Sequence, residues 1–353
     1  MKVEIVGCGL IGTSIALALA QNEHEIWVAD SNPRNLQLAQ DLIGEKLVES
    51  AQYDLTLIAT PVPAIIKIIR EKNFNKSSKV IDIGGIKSEV INEVEKFPDL
   101  ASKYISTHPM AGRESSGPEN ARADLFQGRA WIVTPTKYSE LACIDFASNL
   151  GKELGATSYL LGAKEHDQAM AAISHLPQIL SSLMGNLLND ETQSSLEFAG
   201  QGLRDISRLA DSNAQMWRDL ILLNKAEVLL RIENALKLLA NLQADLKNDN
   251  RENVENFFQS GKEGRSKIPG KHGARARDYS YLPIVIDDKP GQLARIFDEC
   301  AICQVNIEDL SIEHSPNQDT GLITLALSHD DAKRLTHQLN ENGWRVHEIR
   351  KPS

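Results

Sequence analysis

Cysteine is scarce. Four residues, at positions 8, 143, 300 and 303 of 353, are too few and too scattered for a disulfide framework. Cys300 and Cys303 form a single CxxC, without the second pair or the nearby histidines that a zinc site needs, so no metal is expected. Long apolar runs are missing too: none reaches the roughly 20 residues of a bilayer span. The N-terminus has no basic n-region, and glycines interrupt its apolar stretch, so a signal peptide is not expected. Positive charge is in deficit, with 38 Lys and Arg against 48 Asp and Glu and a net charge of −10. That balance argues against nucleic acid or an anionic membrane as a partner. These shortages together point to a cytoplasmic protein. The rest of the composition, 42% hydrophobic and 24% charged, is that of an ordinary globular chain. Its length suggests two or three domains of about 100–200 residues each.

The most informative segment is the first thirty residues. Val3–Val6 is a short β-branched run. Gly7-Cys8-Gly9-Leu10-Ile11-Gly12 follows at once, then an Ala/Leu-rich helix to about Ala20, then a strand at Glu25–Val28 that ends near Asp30. A GxGxxG that leaves a strand, opens a helix and meets an acid at the tip of the next strand is a dinucleotide fingerprint. Gly7 allows the tight turn, Gly9 lets backbone approach a pyrophosphate, and Gly12 lets helix and strand pack closely. The helix start, with Leu10 and Ile11, presents N–H groups and a positive dipole end to the phosphates. Asp30 accepts from ribose hydroxyls and repels a 2′-phosphate, which favours NAD over NADP.

Strand-like runs at Leu55–Ala59, Lys79–Ile83, Tyr104–Ser106, Trp131–Val133 and Thr157–Leu160 alternate with helical stretches such as Pro63–Lys72 and Ser139–Leu154. This rhythm predicts an α/β fold with a mostly parallel, doubly wound Rossmann sheet over residues 1–163. Ligands in such folds lie beyond the carboxyl ends of the strands. Thr60-Pro61, Gly84-Gly85 and Thr107-His108 each follow a strand end and are expected to line one cleft, Thr60 and Pro61 on the cofactor side.

Residues 164–250 read as all-α. Lys164–Leu188 is helical with a break or kink expected at Pro177. Ala214–Leu246 reads as one long helix whose leucines wrap nearly all round its axis, so it needs cover on every side. A homodimer interlocked through this domain is the expected solution. Residues 251–277, polar and basic with several glycines, read as a linker. Residues 278–353 carry a βαββαβ order, the ferredoxin-like split unit. With Asp288-Lys289-Pro290-Gly291 in its first turn and Val305-Asn306-Ile307 at its second strand, this stretch resembles an ACT domain, a small-molecule sensor. That resemblance implies an effector near Asp288, Gly291 and Asn306.

His108 is the candidate base. It stands at a strand end in the expected nicotinamide cleft, and imidazole, with a reference pKa near 6.5, suits removal of a hydroxyl proton as hydride departs. Five runs carry a closer resemblance. They are Asp82-Ile83-Gly84-Gly85-Ile86-Lys87, His108-Pro109-Met110-Ala111-Gly112, Ser174-His175-Leu176-Pro177-Gln178, Arg204-Asp205-Ile206-Ser207-Arg208 and Met216-Trp217-Arg218-Asp219. With the fingerprint, they make the chain resemble the prephenate dehydrogenase family, in its type with a C-terminal ACT domain, over nearly the whole length. The resemblance implies NAD-dependent oxidative decarboxylation of prephenate to 4-hydroxyphenylpyruvate in tyrosine synthesis. It also implies that His108 accepts the hydroxyl's proton, that Lys87 helps position substrate or nicotinamide, and that Arg208 holds a substrate carboxylate. His175 and Gln178 are expected to face the substrate, with Glu114 at the mouth, and L-tyrosine is the expected effector. The family usually has a serine where this chain has Gly85, and many relatives have a histidine at Gln178. Alternative readings are an arogenate dehydrogenase, or a catalytically weak sensor that holds NAD.

Overall fold

A computed structural model of the chain describes residues 1–44, 47–50, 52–71, 74, 77–112, 117–268, 279–314 and 319–350. These residues form two compact units, Met1–Asn241 and Leu242–Ser353.

The first unit begins with β1 (Lys2–Val6), α1 (Leu10–Gln21), β2 (Glu25–Ala29), α2 (Pro33–Ile43), β3 (Tyr53–Ile58), α3 (Val62–Glu71) and β4 (Ser77–Asp82). It continues with α4 (Ser88–Val94), α5 (Pro98–Ala101), β5 (Tyr104–Pro109), β6 (Ala130–Pro135), α6 (Leu141–Glu153) and β7 (Thr157–Leu160). The seven strands lie in the order β2-β1-β3-β4-β5-β6-β7. Strands β1 to β5 run parallel, as the alternation predicts. One pair departs from it: β6 runs antiparallel to β5, Ile105 opposite Pro135 and Pro109 opposite Trp131. The connection between them has, among the described residues, only a short 3₁₀ turn at Pro118–Asn120. Without a crossover helix the chain returns beside its own strand. Two apolar clusters, on opposite faces of the sheet, bury Val3, Ile5 and Leu57 on one side and Ile58, Val80 and Tyr104 on the other. This is the burial a doubly covered parallel sheet requires.

The helical part of this unit holds α7 (Ala163–Met170), α8 (Leu176–Leu187), α9 (Gln193–Leu196), α10 (Gln201–Ser207), α11 (Ala214–Leu223) and most of α12 (Lys225–Lys247). The break expected at Pro177 takes a specific form. Ala171–His175 is a π-helical turn joining α7 to α8, and Pro177 sits in the first turn of α8, where its missing N–H does no harm. The single helix expected over Ala214–Leu246 is two helices, divided at Asn224. Asn224 is buried, and its amide is engaged by groups of α7 and the π turn instead of solvent. Val228 is the one fully buried apolar residue of α12, whereas Leu229, Leu230, Leu236, Leu238 and Leu239 are exposed.

The second unit corrects the linker reading. Arg251–Ser266 is an α-helix, α13, opened by Asn250, whose side chain accepts from Asn253 N. The helix forms in spite of Gly261 and Gly264 in its interior, each of which disfavours helix, with its first turn capped by Asn250. Residues 269–277 of that stretch lie outside the described residues. Next come β8 (Ser280–Asp287), α14 (Gln292–Ile302), β9 (Asp309–His314), β10 (Thr320–Leu327), α15 (His329–Glu341) and β11 (Arg345–Val346). This is the expected βαββαβ order, built into an antiparallel sheet ordered β11-β8-β10-β9. Leu282, Ile284 and Ile286 alternate inward with Ile323, Leu325 and Leu327 against Ile296, Cys300, Leu335 and Leu339. Burial pushes the Cys300 thiol up to about 11, which keeps it protonated and unreactive.

Candidate active site

The cofactor cradle is set by three glycines with three different constraints. Gly7 has φ +110°, and a Cβ there would lie 2.5 Å from the carbonyl oxygen of Ala59. A Cβ at Gly12 would lie 2.0 Å from the Gly7 oxygen, so only glycine lets α1 approach β1 this closely. Gly9 has nothing within 4 Å of a built Cβ, which leaves open space above the start of α1. No side chain caps that helix, so its first turn remains available to an anion. Leu10 is buried beneath the turn, and Ile11 packs against the core at its edge. Asp30 braces the loop: Oδ2 accepts from Cys8 N at 2.6 Å and Oδ1 from Asn32 N at 2.7 Å. Each carboxylate oxygen has a second lone pair for a ribose hydroxyl. Thr60 and Pro61 stand at the carboxyl end of β3, and the hydroxyls of Thr13 and Thr60 are buried with no partner among the described residues. An open glycine, an uncapped helix and orphaned hydroxyls fit a bound dinucleotide.

The chemistry sits three strands from β1, at the same carboxyl-end edge of the sheet. His108, near the end of β5, has its Nδ1 in hydrogen-bond contact with His166 Nε2 at 2.9 Å. His166, fully buried on α7, donates from Nδ1 to Asp167 Oδ1 at 2.8 Å. Asp167 also accepts from Lys87 N at 2.9 Å and Ser88 N at 2.8 Å. Those bonds hold the Asp167 carboxyl below its usual range in spite of burial. Burial, the neighbouring His166 and the Lys87 ammonium push His108 well below the ordinary imidazole value, only partly offset by Asp167. His108 is therefore neutral, and able to accept a proton, at neutral pH. Its Nε2 lies 3.8 Å from the point where a Cβ would stand on Gly85.

Lys87 differs from its expected role. It is completely buried, and Nζ donates to Asp82 Oδ1 at 2.9 Å, Ser106 Oγ at 2.8 Å and the Thr107 carbonyl at 2.6 Å. An ammonium has three hydrogens, and all three are committed inside the protein. It cannot touch substrate or nicotinamide from there. It holds the backbone just before His108 instead. Tyr104 Oη donates to Asp82 Oδ2 at 2.9 Å, completing the buried network.

His175 is also buried. Its Nδ1 accepts from Asn224 Nδ2 at 3.2 Å, and its ring meets Trp217 edge to face at 6.1 Å. Burial pushes it down to about 4, so it is neutral, with its proton on Nε2. Gln178 Nε2 donates to the Leu209 carbonyl at 2.7 Å. That bond fixes the 3₁₀ turn Arg208–Asp211, on which the exposed Arg208 stands. Gln178 and Trp217 also line a cavity of about 490 Å³ between α8 and α11, with Ile179, Ser182 and Ile221. Glu114 lies outside the described residues. Asp288 and Gly291 stand at the end of the second unit's sheet where β8 finishes opposite Thr320, and Gly291 takes φ +88° to open α14. Asn306 leads into β9 at the opposite end, where Asp309 faces Ala326 and Ala326 faces Tyr281, so the expected grouping of the three within one chain is not formed.

Sequence reasoning missed His166 and Asp167. The His-Asp pair stands eight residues before His175-Leu176, on a helix with little else that is buried and polar, and that was the available signal.

The comparisons with known proteins agree with this geometry. The profile of the prephenate dehydrogenase nucleotide-binding domain matches residues 15–160, and that of the prephenate dehydrogenase dimerization domain matches residues 162–260. Prephenate dehydrogenase of Lactococcus lactis is 30% identical over 90% of this chain and 91% of its own. That of Bacillus subtilis is 26% identical over 96% and 95%. The crystal structure of Aquifex aeolicus prephenate dehydrogenase with hydroxyphenyl propionate and NAD⁺ superposes with a TM-score of 0.69 at 27% identity, covering 76% of this chain and 98% of that one. With its dinucleotide cradle, its strand-end histidine and these relatives, the chain belongs to the prephenate dehydrogenase family.

Proposed function

We propose that this enzyme converts prephenate to 4-hydroxyphenylpyruvate and CO₂ with NAD⁺, and that L-tyrosine regulates it. The observation that carries the reading is the neutral imidazole of His108, with Nε2 toward the gap beside Gly85, on the same sheet edge as the glycine cradle. NAD⁺, when bound over Gly9 with its ribose at Asp30, supplies the hydride acceptor. His108 Nε2 takes the ring hydroxyl's proton as the carbon beneath it is oxidised. When the ring carboxylate leaves as CO₂, its bonding electrons enter the ring, and the same nitrogen returns the proton to the ring oxygen. No net proton is consumed. Arg208 holds a carboxylate by a charge-assisted contact, and His175 offers one neutral N–H donor. Arg208→Gln is expected to raise KM by about 10- to 150-fold, from a loss of about 1.5–3 kcal/mol; an unchanged KM would assign Arg208 to the surface alone.

The exposed leucines of α12 support a homodimer through the helical domain, in keeping with the matched dimerization profile. The βαββαβ order and its sheet support an ACT-type sensor over 278–353, with the effector at the turn of Asp288 and Gly291. Among the described residues no helix is long and apolar enough to cross a membrane, which accords with a place in the cytoplasm.

The test is NADH formation by the full chain on prephenate and on arogenate, with and without tyrosine. Turnover of prephenate that tyrosine lowers is expected. Preference for arogenate would change the substrate, and activity indifferent to tyrosine would remove the regulator.

A further inference from the structure

We propose that His166, steadied by Asp167, is the positioning residue that fixes the tautomer of His108 and so leaves Nε2 of His108 bare toward the gap beside Gly85. The inference rests on the reading of His108 as the base, and it adds two residues from a different element.

Asp167 is a carboxylate, which accepts and cannot donate. It already receives two backbone N–H groups, from Lys87 and Ser88, so its orientation is set. The 2.8 Å contact with His166 Nδ1 therefore needs the His166 proton on Nδ1. Burial disfavours a charged His166. A neutral imidazole carries one proton, so His166 Nε2 is bare. A bare nitrogen 2.9 Å from His108 Nδ1 must accept, which puts the His108 proton on Nδ1. Neutral His108 then has its lone pair on Nε2, the nitrogen that faces Gly85.

The opposite tautomer would turn that lone pair into an N–H. Such a nitrogen cannot take a hydroxyl proton. In the proposed reaction Nε2 receives the proton while Nδ1–H stays bonded to His166, with the Asp167 charge behind it. The other groups acting on His108 are the Lys87 ammonium and His175, and neither is a hydrogen-bond partner of its Nδ1. His108 comes from β5, and His166 with Asp167 from α7. The base is thus correctly prepared only when helix and sheet are seated together.

Imidazole nitrogens of the full-length protein, labelled with ¹⁵N-histidine, distinguish the tautomers directly. The His108 signals are assigned by their loss in His108→Asn. Protonated Nδ1 with bare Nε2 on His108 is expected; a protonated Nε2 overturns the proposal whether or not the enzyme turns over prephenate. Two variants add a kinetic readout. His166→Gln keeps an amide oxygen to accept from His108 and an NH₂ to donate to Asp167. His166→Phe keeps bulk and loses the acceptor. His166→Phe is expected to lower kcat on prephenate by about 10²–10³-fold with KM within about twofold, and His166→Gln to recover most of that loss. Equal losses in the two variants, or no loss in either, would overturn the role. Should His166→Phe fail to fold, the nitrogen signals of the unmodified chain still decide. Absence of wild-type turnover on prephenate would instead count against the reaction assigned above.

Discussion

The two compact units have similar cores in kind but not in content. Among the described residues, the second unit buries one polar side chain, Ser280, and packs the rest of its interior from Leu, Ile, Val, Ala and Cys. The first unit buries Asp82, Lys87, Ser106, Thr107, His166, Asp167, His175 and Asn224 around the end of β5. Burial of charge is expensive unless every group is paired, and here nearly every one is. The lesson is that a site for proton and hydride chemistry is built into the interior and needs a supporting network. The second unit, with no such network among its described residues, is held by apolar packing.

The largest expected contrast is catalytic. His108→Asn should lower kcat by about 10²–10⁴-fold with little change in KM, measured as initial NADH formation; a normal kcat would take the network's purpose away. Next comes stability. Lys87→Met leaves the Asp82 carboxylate buried without its cation and should cost about 3–5 kcal/mol in urea unfolding. A cost below about 1 kcal/mol would mean that Asp82 needs no cation. The matching change in the second unit is Leu325→Ala, a fully buried leucine. It should cost about 2–5 kcal/mol through a cavity while the basal kcat stays unchanged, as read by unfolding and assay of the same sample. A tenfold fall in kcat would blur the division between the units.

The smallest effect per residue is acid sensitivity. Burial lowers His108, His166 and His175 in the folded state, His175 to about 4. The unfolded chain therefore binds protons that the folded one refuses. Stability is complete above the unfolded value near 6.5 and is lost as pH falls below it. Each histidine contributes at most about 2 kcal/mol of loss between pH 7 and 5. Urea unfolding at the two pH values, resolved by hydrogen-exchange mass spectrometry, should show the first unit weakening more than the second. Equal weakening of both would remove the buried histidines as the cause.

The sequence by itself determined whatever rests on local chemistry. Gly7, Gly9 and Gly12 are required where the turn, the open approach and the helix packing need them, and alternation of apolar residues specified most strands within a few positions. It also singled out His108, because a strand end in a parallel sheet is a place where ligands collect. Only the tertiary structure decided what depends on distant partners. It turned β6 antiparallel, cut the long helix at Asn224 and made a helix of Arg251–Ser266. It sealed Lys87 inside and set His166 and Asp167 behind His108, 58 residues along the chain from His108 to His166. The physical reason is that a side chain's proton and charge are set by what it touches. Asp167 reaches across from α7 to backbone N–H groups 79 and 80 residues away, a juxtaposition with no local signature in the sequence.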